Sequence, residues 1–413
     1  MILKCQSFEK MAESIRSNNL SVVMFGCGVI GRITTPEILR EYGLLDRIVC
    51  FADNDRSLWG GSVPLYGKTI PVVDPETLRE KKNTVILLNV SRYDSVLEQL
   101  NGYKELTDVP CYLMPMMCIH NFVGAGGTEQ EQFWGAFSRE KNDSTRKCGS
   151  AKEAGDPISI PDVEKSKEDR PVENAGAHAI PKVLNYIWAG GAPLPDSLKR
   201  CIESWRKYCP DYEIRQWDES NYDFHAVPYM AEAYDRGVFG FASDYAKIDI
   251  LYRYGGFCMD TDVELIKPLD GLRFQEAFCG VEKWQVLNFG GLSGATKSSP
   301  AIRKYLEARK GLHFINPDGT ENRMTCGYYD TKAALEHGYR INGKIQRIDG
   351  MTVYPSEYFH PYDYMSGETV ITENTYSIHH FGGSWLTPEM AESNRKTRES
   401  YRALYEEAVR DGE

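Results

Sequence analysis

Apolar and polar positions along this chain fall into short runs separated by glycine, proline and charge. Ser21-Val-Val-Met-Phe25 is an apolar run of strand length, the pattern of a strand buried on both faces. Gly26-Cys-Gly-Val-Ile-Gly31 follows at once. A helical stretch then runs to about Tyr42 and closes at Gly43, a residue favoured just past a helix end. Arg47–Ala52, Val85–Asn89 and Cys111–Leu113 read as further strands. Strands alternating with helices predict a parallel α/β sheet over residues 1–127.

A second alternation starts near residue 181. Pro181–Trp188 reads as a strand running into Ala189-Gly190-Gly191. Leu198, Cys201, Ile202, Trp205 and Cys209 recur at helical spacing until Pro210, which ends that helix. Tyr212–Trp217 returns as a strand. Ser243–Tyr254 predicts a helix with Ser243 as N-cap and Gly255-Gly256 as its stop. Phe257–Met259 is a short strand ending in Asp260-Thr261-Asp262, and Pro388–Val409 has the pattern of an amphipathic surface helix. Between the two alternations the chain carries mixed charge, Gly, Ser and Pro, with few and aperiodic apolar residues. Such a stretch buries too little to offset ordering entropy. The expected organisation is therefore a Rossmann-like domain over 1–127, a flexible charged linker over 128–178, and a second α/β domain over 179–413.

Composition narrows the function classes. The 413 residues are 42% hydrophobic and carry a formal charge of −11, which suits a globular protein and disfavours general nucleic-acid binding. The 11 cysteines include no Cys-x-x-Cys pair, so neither a zinc site nor a disulfide framework is expected. The first ten residues lack the apolar core of a signal peptide. No apolar run approaches the ~20 residues needed to span a bilayer. The expectation is a cytoplasmic protein, compatible with peripheral contact at the inner face of the membrane.

Candidate chemistry concentrates in Phe241–Asp262. Asp260 and Asp262 lie two apart at the carboxyl end of an expected buried strand, the edge where open α/β sheets bind ligands. Two such carboxylates can share one hard divalent cation, Mn²⁺ or Mg²⁺, which could offset charge on a departing diphosphate. Asp244 and Lys247 are three apart and share one helix face. Alone they would be a surface ion pair of little worth. In this context they suit sugar hydroxyls and phosphate.

With these residues in view, Pro181–Gly191, Ser243–Asp262 and His379-His-Phe-Gly-Gly-Ser-Trp385 resemble the sugar-binding region of glycosyltransferases with an Asp-x-Asp motif. The likeness is nearest to glycosyltransferase family 32, which includes capsule and exopolysaccharide enzymes. It spans about residues 181–386. It implies a glycosyltransferase A-type fold, a nucleoside-diphosphate sugar donor, a glycan or lipid-linked acceptor, and retention of anomeric configuration. By position, Ile187 and Trp188 would flank the nucleobase, and Asp244 and Lys247 would meet the donor. Asp260, Asp262 and His380 would hold the metal, and Ser384 and Trp385 would cover the diphosphate. His380 is favoured over His379 because adjacent strand residues face opposite ways and only one can reach the metal. Asn288 would lie near the reacting sugar or else be a turn residue before Gly290. The family usually has Arg where this chain has Lys247, and Lys lacks the planar fork.

Gly26, Gly28 and Gly31 lie between a strand and a helix, with Asp53 ending the next strand, the context of a dinucleotide fingerprint. The stretch also resembles the Rossmann-type domain attached to sugar acetyltransferases and polysaccharide-biosynthesis proteins. A nucleotide or NAD(P) is its expected ligand, with a scaffold role as the other reading. A nucleotide-sugar dehydrogenase or epimerase acting through this domain, and non-catalytic sugar-nucleotide binding, are the alternative functions.

Overall fold

The computed structural model describes residues 1–122, 179–382 and 388–410. The expected linker at 128–178 and the candidates Ser384 and Trp385 lie outside the described residues.

The first region holds seven strands: β1 (Ile2–Lys4), β2 (Ser21–Phe25), β3 (Ile48–Ala52), β4 (Ser62–Leu65), β5 (Lys68–Val73), β6 (Thr84–Leu88) and β7 (Pro110–Leu113). Their order is β1-β7-β6-β2-β3-β5-β4. All pairs are parallel except the β4–β5 hairpin. Strand order runs outward in both directions from the β2–β6 pair, so a topological switch point lies there, with its crevice at the carboxyl ends. The helix after the glycine turn opens with a wide π-type turn, Ile30–Thr34, and continues as Thr35–Glu41.

The second region is an eight-stranded mixed sheet. It contains β8 (Val183–Ile187), β9 (Glu213–Trp217), β10 (Gly256–Cys258), β12 (Ala277–Val281), β13 (Leu287–Asn288), β14 (Ser293–Ala295), β15 (Gln346–Ile348) and β16 (Met351–Tyr354). β8 lies parallel between β9 and β10, whereas β14 joins β10 to β12 antiparallel to both. Off this sheet, β11 (Val263–Leu265) pairs antiparallel with β19 (Ser377–His379), and β17 (Tyr362–Asp363) pairs with β18 (Glu368–Thr369).

Two expectations need correction. The helix expected from Ser243 begins one turn earlier and spans Phe239–Tyr254. Ser243 does not cap it; its Oγ donates to the Gly240 carbonyl inside the helix. Asp244 therefore sits in the second turn, where the helix dipole adds little. The C-terminal helix forms over Pro388–Arg410, but it is not a plain surface helix. Tyr401, Tyr405 and Ala408 are buried, and these positions form one apolar stripe at helical spacing. The stripe packs on the first region: the Cys5 N–H donates to Ala408 O at 2.9 Å, and Thr397 Oγ1 donates to Asp94 Oδ2 at 2.7 Å. One apolar core runs through Met24 and Leu87 of the first sheet, Ile248, Cys258 and Leu287 of the second region, and Tyr401. A boundary that assigns all of 179–413 to one separate unit thus cuts through this core.

Among the described residues ten cysteines are free and nine of them buried. No described helix is long and apolar enough to cross a membrane.

Candidate active site

The site is built where β10 ends. β10 is buried throughout, and the chain leaves it through Met259 into Asp260 and Asp262. The Asp260 N–H donates to Gly290 O at 2.8 Å. A Cβ at Gly290 would stand 2.1 Å from Asp260 Oδ2, so only glycine lets that backbone approach the carboxylate. β11 starts directly after Asp262. Its register pairs Val263 with His379, which brings a residue more than a hundred positions away beside the two acids. His379 Nε2 lies 3.4 Å from Asp262 Oδ1 and 3.8 Å from Asp260 Oδ2. Ligand atoms of Asp260, Asp262 and His379 all lie within 4.8 Å of one another.

The expected third ligand was His380, and the structure corrects this. His380 is exposed on the other side of the strand, with Nε2 at 3.1 Å from Glu264 Oε2. The alternation argument was sound, but the buried face belongs to His379. Burial opposes charge on His379, yet Asp262, then Asp260 and Glu282, outweigh it and raise its pKa above the ordinary imidazole value. Burial likewise opposes charge on Asp262, but His379 and the Gly382 N–H, which donates to Asp262 Oδ2 at 2.6 Å, hold its carboxyl well below the usual range.

The Asp244–Lys247 pair joins the same cluster. Lys247 is buried, with Nζ 3.1 Å from Asp244 Oδ1 and 2.6 Å from Asp260 Oδ1. Burial works against the ammonium, but Asp260 and then Asp244 overcome it and keep Lys247 charged, well above its ordinary pKa. Asp244 is itself held from behind. Arg309 Nη1 donates to the Asp244 carbonyl at 2.6 Å, while its fork grips buried Asp330 at 2.6–3.1 Å. Nothing in the local sequence marked Arg309 or Asp330, because their partners lie on different elements.

Ile187 and Trp188 end β8 next to β10, so they lie at the same sheet edge. Trp188 Nε1 donates to Ala192 O at 2.6 Å, and its ring is half-buried. Asn288 is near the acids but spent internally. Its Oδ1 accepts from the Gly290 and Gly291 N–H groups at 2.7 and 3.1 Å, and its Nδ2 donates to Glu282 Oε1 at 2.7 Å. These bonds make it a turn residue before Gly290. Burial raises the Glu282 pKa above the ordinary carboxylate value.

In the first region Gly26, Gly28, Gly31 and Asp53 gather at the switch point. Gly26 has φ +101. A Cβ at Gly31 would stand 2.1 Å from Gly26 O, whereas Gly28 is exposed and faces open space. Asp53 Oδ2 accepts the Cys27 N–H at 2.7 Å and Oδ1 accepts the Asp55 N–H at 2.9 Å, so this acid ties the glycine turn to its own loop.

Two carboxylates and an imidazole converge from the ends of β10 and β19, with an ammonium and a third carboxylate alongside. Comparison with known proteins agrees. Residues 195–279 match the family described as glycosyltransferase sugar-binding region containing DXD motif. That segment contains Asp244, Lys247, Asp260 and Asp262. Inositol phosphoceramide mannosyltransferase 3 of Schizosaccharomyces pombe is 34% identical over 98 residues, covering 23% of this chain and 27% of that protein. Inositol phosphoceramide mannosyltransferase 1 of the same yeast is 28% identical over 115 residues, covering 24% and 33%. The chain thus spans about a third or less of the curated relatives it matches. Among solved structures, the PaToxG glycosyltransferase is 16% identical, covering 40% of this chain and 75% of that one at a TM-score of 0.28. That score is too low for the superposition to carry weight.

Proposed function

We propose that this protein is a metal-dependent, retaining glycosyltransferase that moves a sugar from a nucleoside-diphosphate sugar to a hydroxyl acceptor in glycan or polysaccharide synthesis. The observation that carries the reading is the convergence of Asp260, Asp262 and His379 beside Lys247 and Asp244. The donor set fits a divalent cation. The separations between His379 Nε2 and the carboxylates exceed those of good hydrogen bonds, yet hard oxygen ligands plus one imidazole suit Mn²⁺ or Mg²⁺. When bound, such an ion supplies positive charge to a leaving diphosphate.

The chain's own residues account for the rest. Lys247 offers an ammonium in a partly dry site, where a charge-assisted bond to phosphate is strong. Asp244 Oδ2 and Asp260 are placed to accept sugar hydroxyls. Ile187 and Trp188 give the nucleobase an apolar edge. The anomeric carbon becomes oxocarbenium-like as the bond to diphosphate lengthens, and same-face attack by the acceptor hydroxyl gives retention.

The test is hydrolysis and transfer with UDP- and GDP-sugars under Mn²⁺ and under EDTA, with product anomers read by NMR. We expect Mn²⁺-dependent turnover, an α-product from an α-donor, and loss of turnover in Asp262→Asn. Equal turnover of Asp262→Asn at saturating Mn²⁺ would falsify the metal assignment.

A further inference from the structure

The helix Cys326–Glu336 carries none of the residues that the sequence singled out, yet it stands behind both arms of the site. One arm is the Asp244–Lys247 pair, and the other is the acid cluster of Asp260, Asp262 and His379. The buried polar side chains of this helix are Asp330 and Thr331, 1% and 0% exposed. Successive residues of a helix point about 100° apart, so these two neighbours reach different elements.

Asp330 serves the ammonium arm. Both its oxygens accept from Arg309, whose remaining donor Nη1 reaches the Asp244 carbonyl at 2.6 Å. A carbonyl has two lone pairs, so the Asp244 oxygen can keep its helical bond and take this one as well. Asp244 and Lys247 lie three apart on one helix. Fixing the backbone at Asp244 therefore also places the Lys247 ammonium one turn on.

Thr331 serves the acid arm. Its Oγ1 accepts the Leu287 N–H at 2.8 Å. Leu287 opens β13 next to Asn288, whose Oδ1 accepts the Gly290 N–H, and the Gly290 carbonyl accepts the Asp260 N–H. Helix and loop also touch directly. A Cβ at Gly327 would stand 2.5 Å from Val286 Cγ1 and 3.1 Å from Leu287 O. Just past the helix, buried Tyr339 donates to the Gln285 carbonyl at 2.9 Å and grips the same loop again.

Stability alone is a weak reason for this arrangement. A buried ion pair can often be replaced by apolar residues of like volume without loss. What the guanidinium supplies is direction, because its planar fork fixes each partner at a set angle. Lys247 Nζ lies 2.6 Å from Asp260 Oδ1, so the spacing of the two arms decides how far that acid is shared with the ammonium.

We propose that Arg309, Asp330 and Thr331 are positioning residues, and that this one helix sets the spacing between Lys247 and the acid cluster. It holds the ammonium arm through Arg309 and the acid arm through Leu287. This rests on the glycosyltransferase reading above.

The experiment uses the full chain after EDTA treatment. Titration calorimetry reads Mn²⁺ binding without nucleotide, then UDP and GDP binding in saturating Mn²⁺. Thr331→Val keeps the volume and leaves the Leu287 N–H without its acceptor. It should weaken Mn²⁺ binding about tenfold, the usual cost of losing a residue that holds a ligand in place, and Thr331→Ser should retain wild-type binding. Arg309→Met combined with Asp330→Leu removes the pair without leaving a buried charge. That double variant should not weaken Mn²⁺ binding, but should weaken binding of whichever nucleotide the wild type takes, about tenfold. Arg309→Lys, which keeps the charge and loses the fork, should show the same nucleotide loss. The two arms thus fail separately, which a general loss of stability does not produce. Mn²⁺ binding by Thr331→Ser as weak as by Thr331→Val, unchanged nucleotide binding in folded Arg309 variants, or equal loss of both ligands in every variant would overturn the assignment. A wild type that binds Mn²⁺ and neither nucleotide would instead sink the glycosyltransferase reading, and the Thr331 variants would still decide the acid arm.

Discussion

Replacing Lys247 by Met removes one buried charge and keeps most of the side-chain volume. In the structure Lys247 is 5% exposed on its side chain and lies between Asp244, 22% exposed, and Asp260, 34% exposed. Removing one member of a buried ion pair costs about 3–5 kcal/mol because its partner stays buried unpaired. Partial exposure of both carboxylates screens that penalty, so about 2–3 kcal/mol is expected. At roughly 2–4 °C per kcal/mol for a sizeable domain, the metal-free variant should melt about 4–12 °C below the wild type.

The second half of the prediction tests the site itself. Without the ammonium, Asp260 no longer shares Oδ1, and the cluster has one uncompensated negative charge more. A cation at Asp260, Asp262 and His379 should then bind about tenfold more tightly, about 1.4 kcal/mol. Well above the dissociation constant, that difference appears in full as added stability. Saturating Mn²⁺ should therefore raise the melting temperature of Lys247→Met by about 3–6 °C more than that of the wild type. Lys247→Arg keeps the charge and should respond like the wild type. The assay is scanning calorimetry at pH 7 with and without EDTA. Identical Mn²⁺ shifts in the wild type and Lys247→Met would show that no cation sits within reach of Asp260.

His379→Ala should abolish the Mn²⁺ shift in the same calorimetric assay, whereas His380→Ala should leave it unchanged. Asp330→Asn leaves the Arg309 guanidinium buried against a neutral partner and should cost about 3–5 kcal/mol in chemical denaturation; an unchanged midpoint would mean that Arg309 re-pairs elsewhere. Glu232 accepts the Phe314 and Ile315 N–H groups at 2.8 and 2.9 Å. Burial opposes its charge, but those N–H groups and His313 lower its pKa. Its contribution is present above the unfolded carboxylate value of about 4.3 and is lost as pH falls through the lower folded value. Glu232→Gln should therefore cost about 1–2 kcal/mol at pH 7 and much less near pH 3, as read by urea denaturation at the two pH values.

What could be read from the sequence depended on range. Ser21–Phe25 and Thr84–Leu88 announce themselves because strands buried on both faces are apolar throughout. The three-residue β1 and the β4–β5 hairpin do not, since β4 and β5 alternate with polar residues and each carries a proline. Asp244, Lys247, Asp260 and Asp262 were legible because one helix and one strand carry them within twenty residues. His379 was not separable from His380, because alternation fixes that one of them faces inward but only the register against β11 fixes which. Arg309 and Asp330 were invisible for the same reason: each gains meaning from a partner on a different element. Asn288 carried two readings in sequence, and its hydrogen bonds to Gly290, Gly291 and Glu282 show the turn one.

The first region bears on the site more directly than its glycine motif suggests. Thr34, one turn past Gly31, donates to the carbonyl of Trp284. Trp284 lies in the loop whose Glu282 holds Asn288. Asn288 accepts from the N–H of Gly290, and the carbonyl of Gly290 accepts from the N–H of Asp260. Hydrogen bonds, joined by the short stretch of chain from Glu282 to Trp284, thus link the helix after the glycine turn to the first acid of the Asp-x-Asp motif. The C-terminal helix tightens the same arrangement from the other end, because the chain passes from His379 in the site to Tyr401, Tyr405 and Ala408, buried on the first sheet. Both ends of the site's last segment are therefore fixed to packed elements. The first region is thereby tied to the loop that borders the candidate site. Holding Asp260 by a backbone bond from a loop that is itself clamped gives the carboxylate a set position before any cation or donor arrives, and the ordering cost is met in folding rather than in binding.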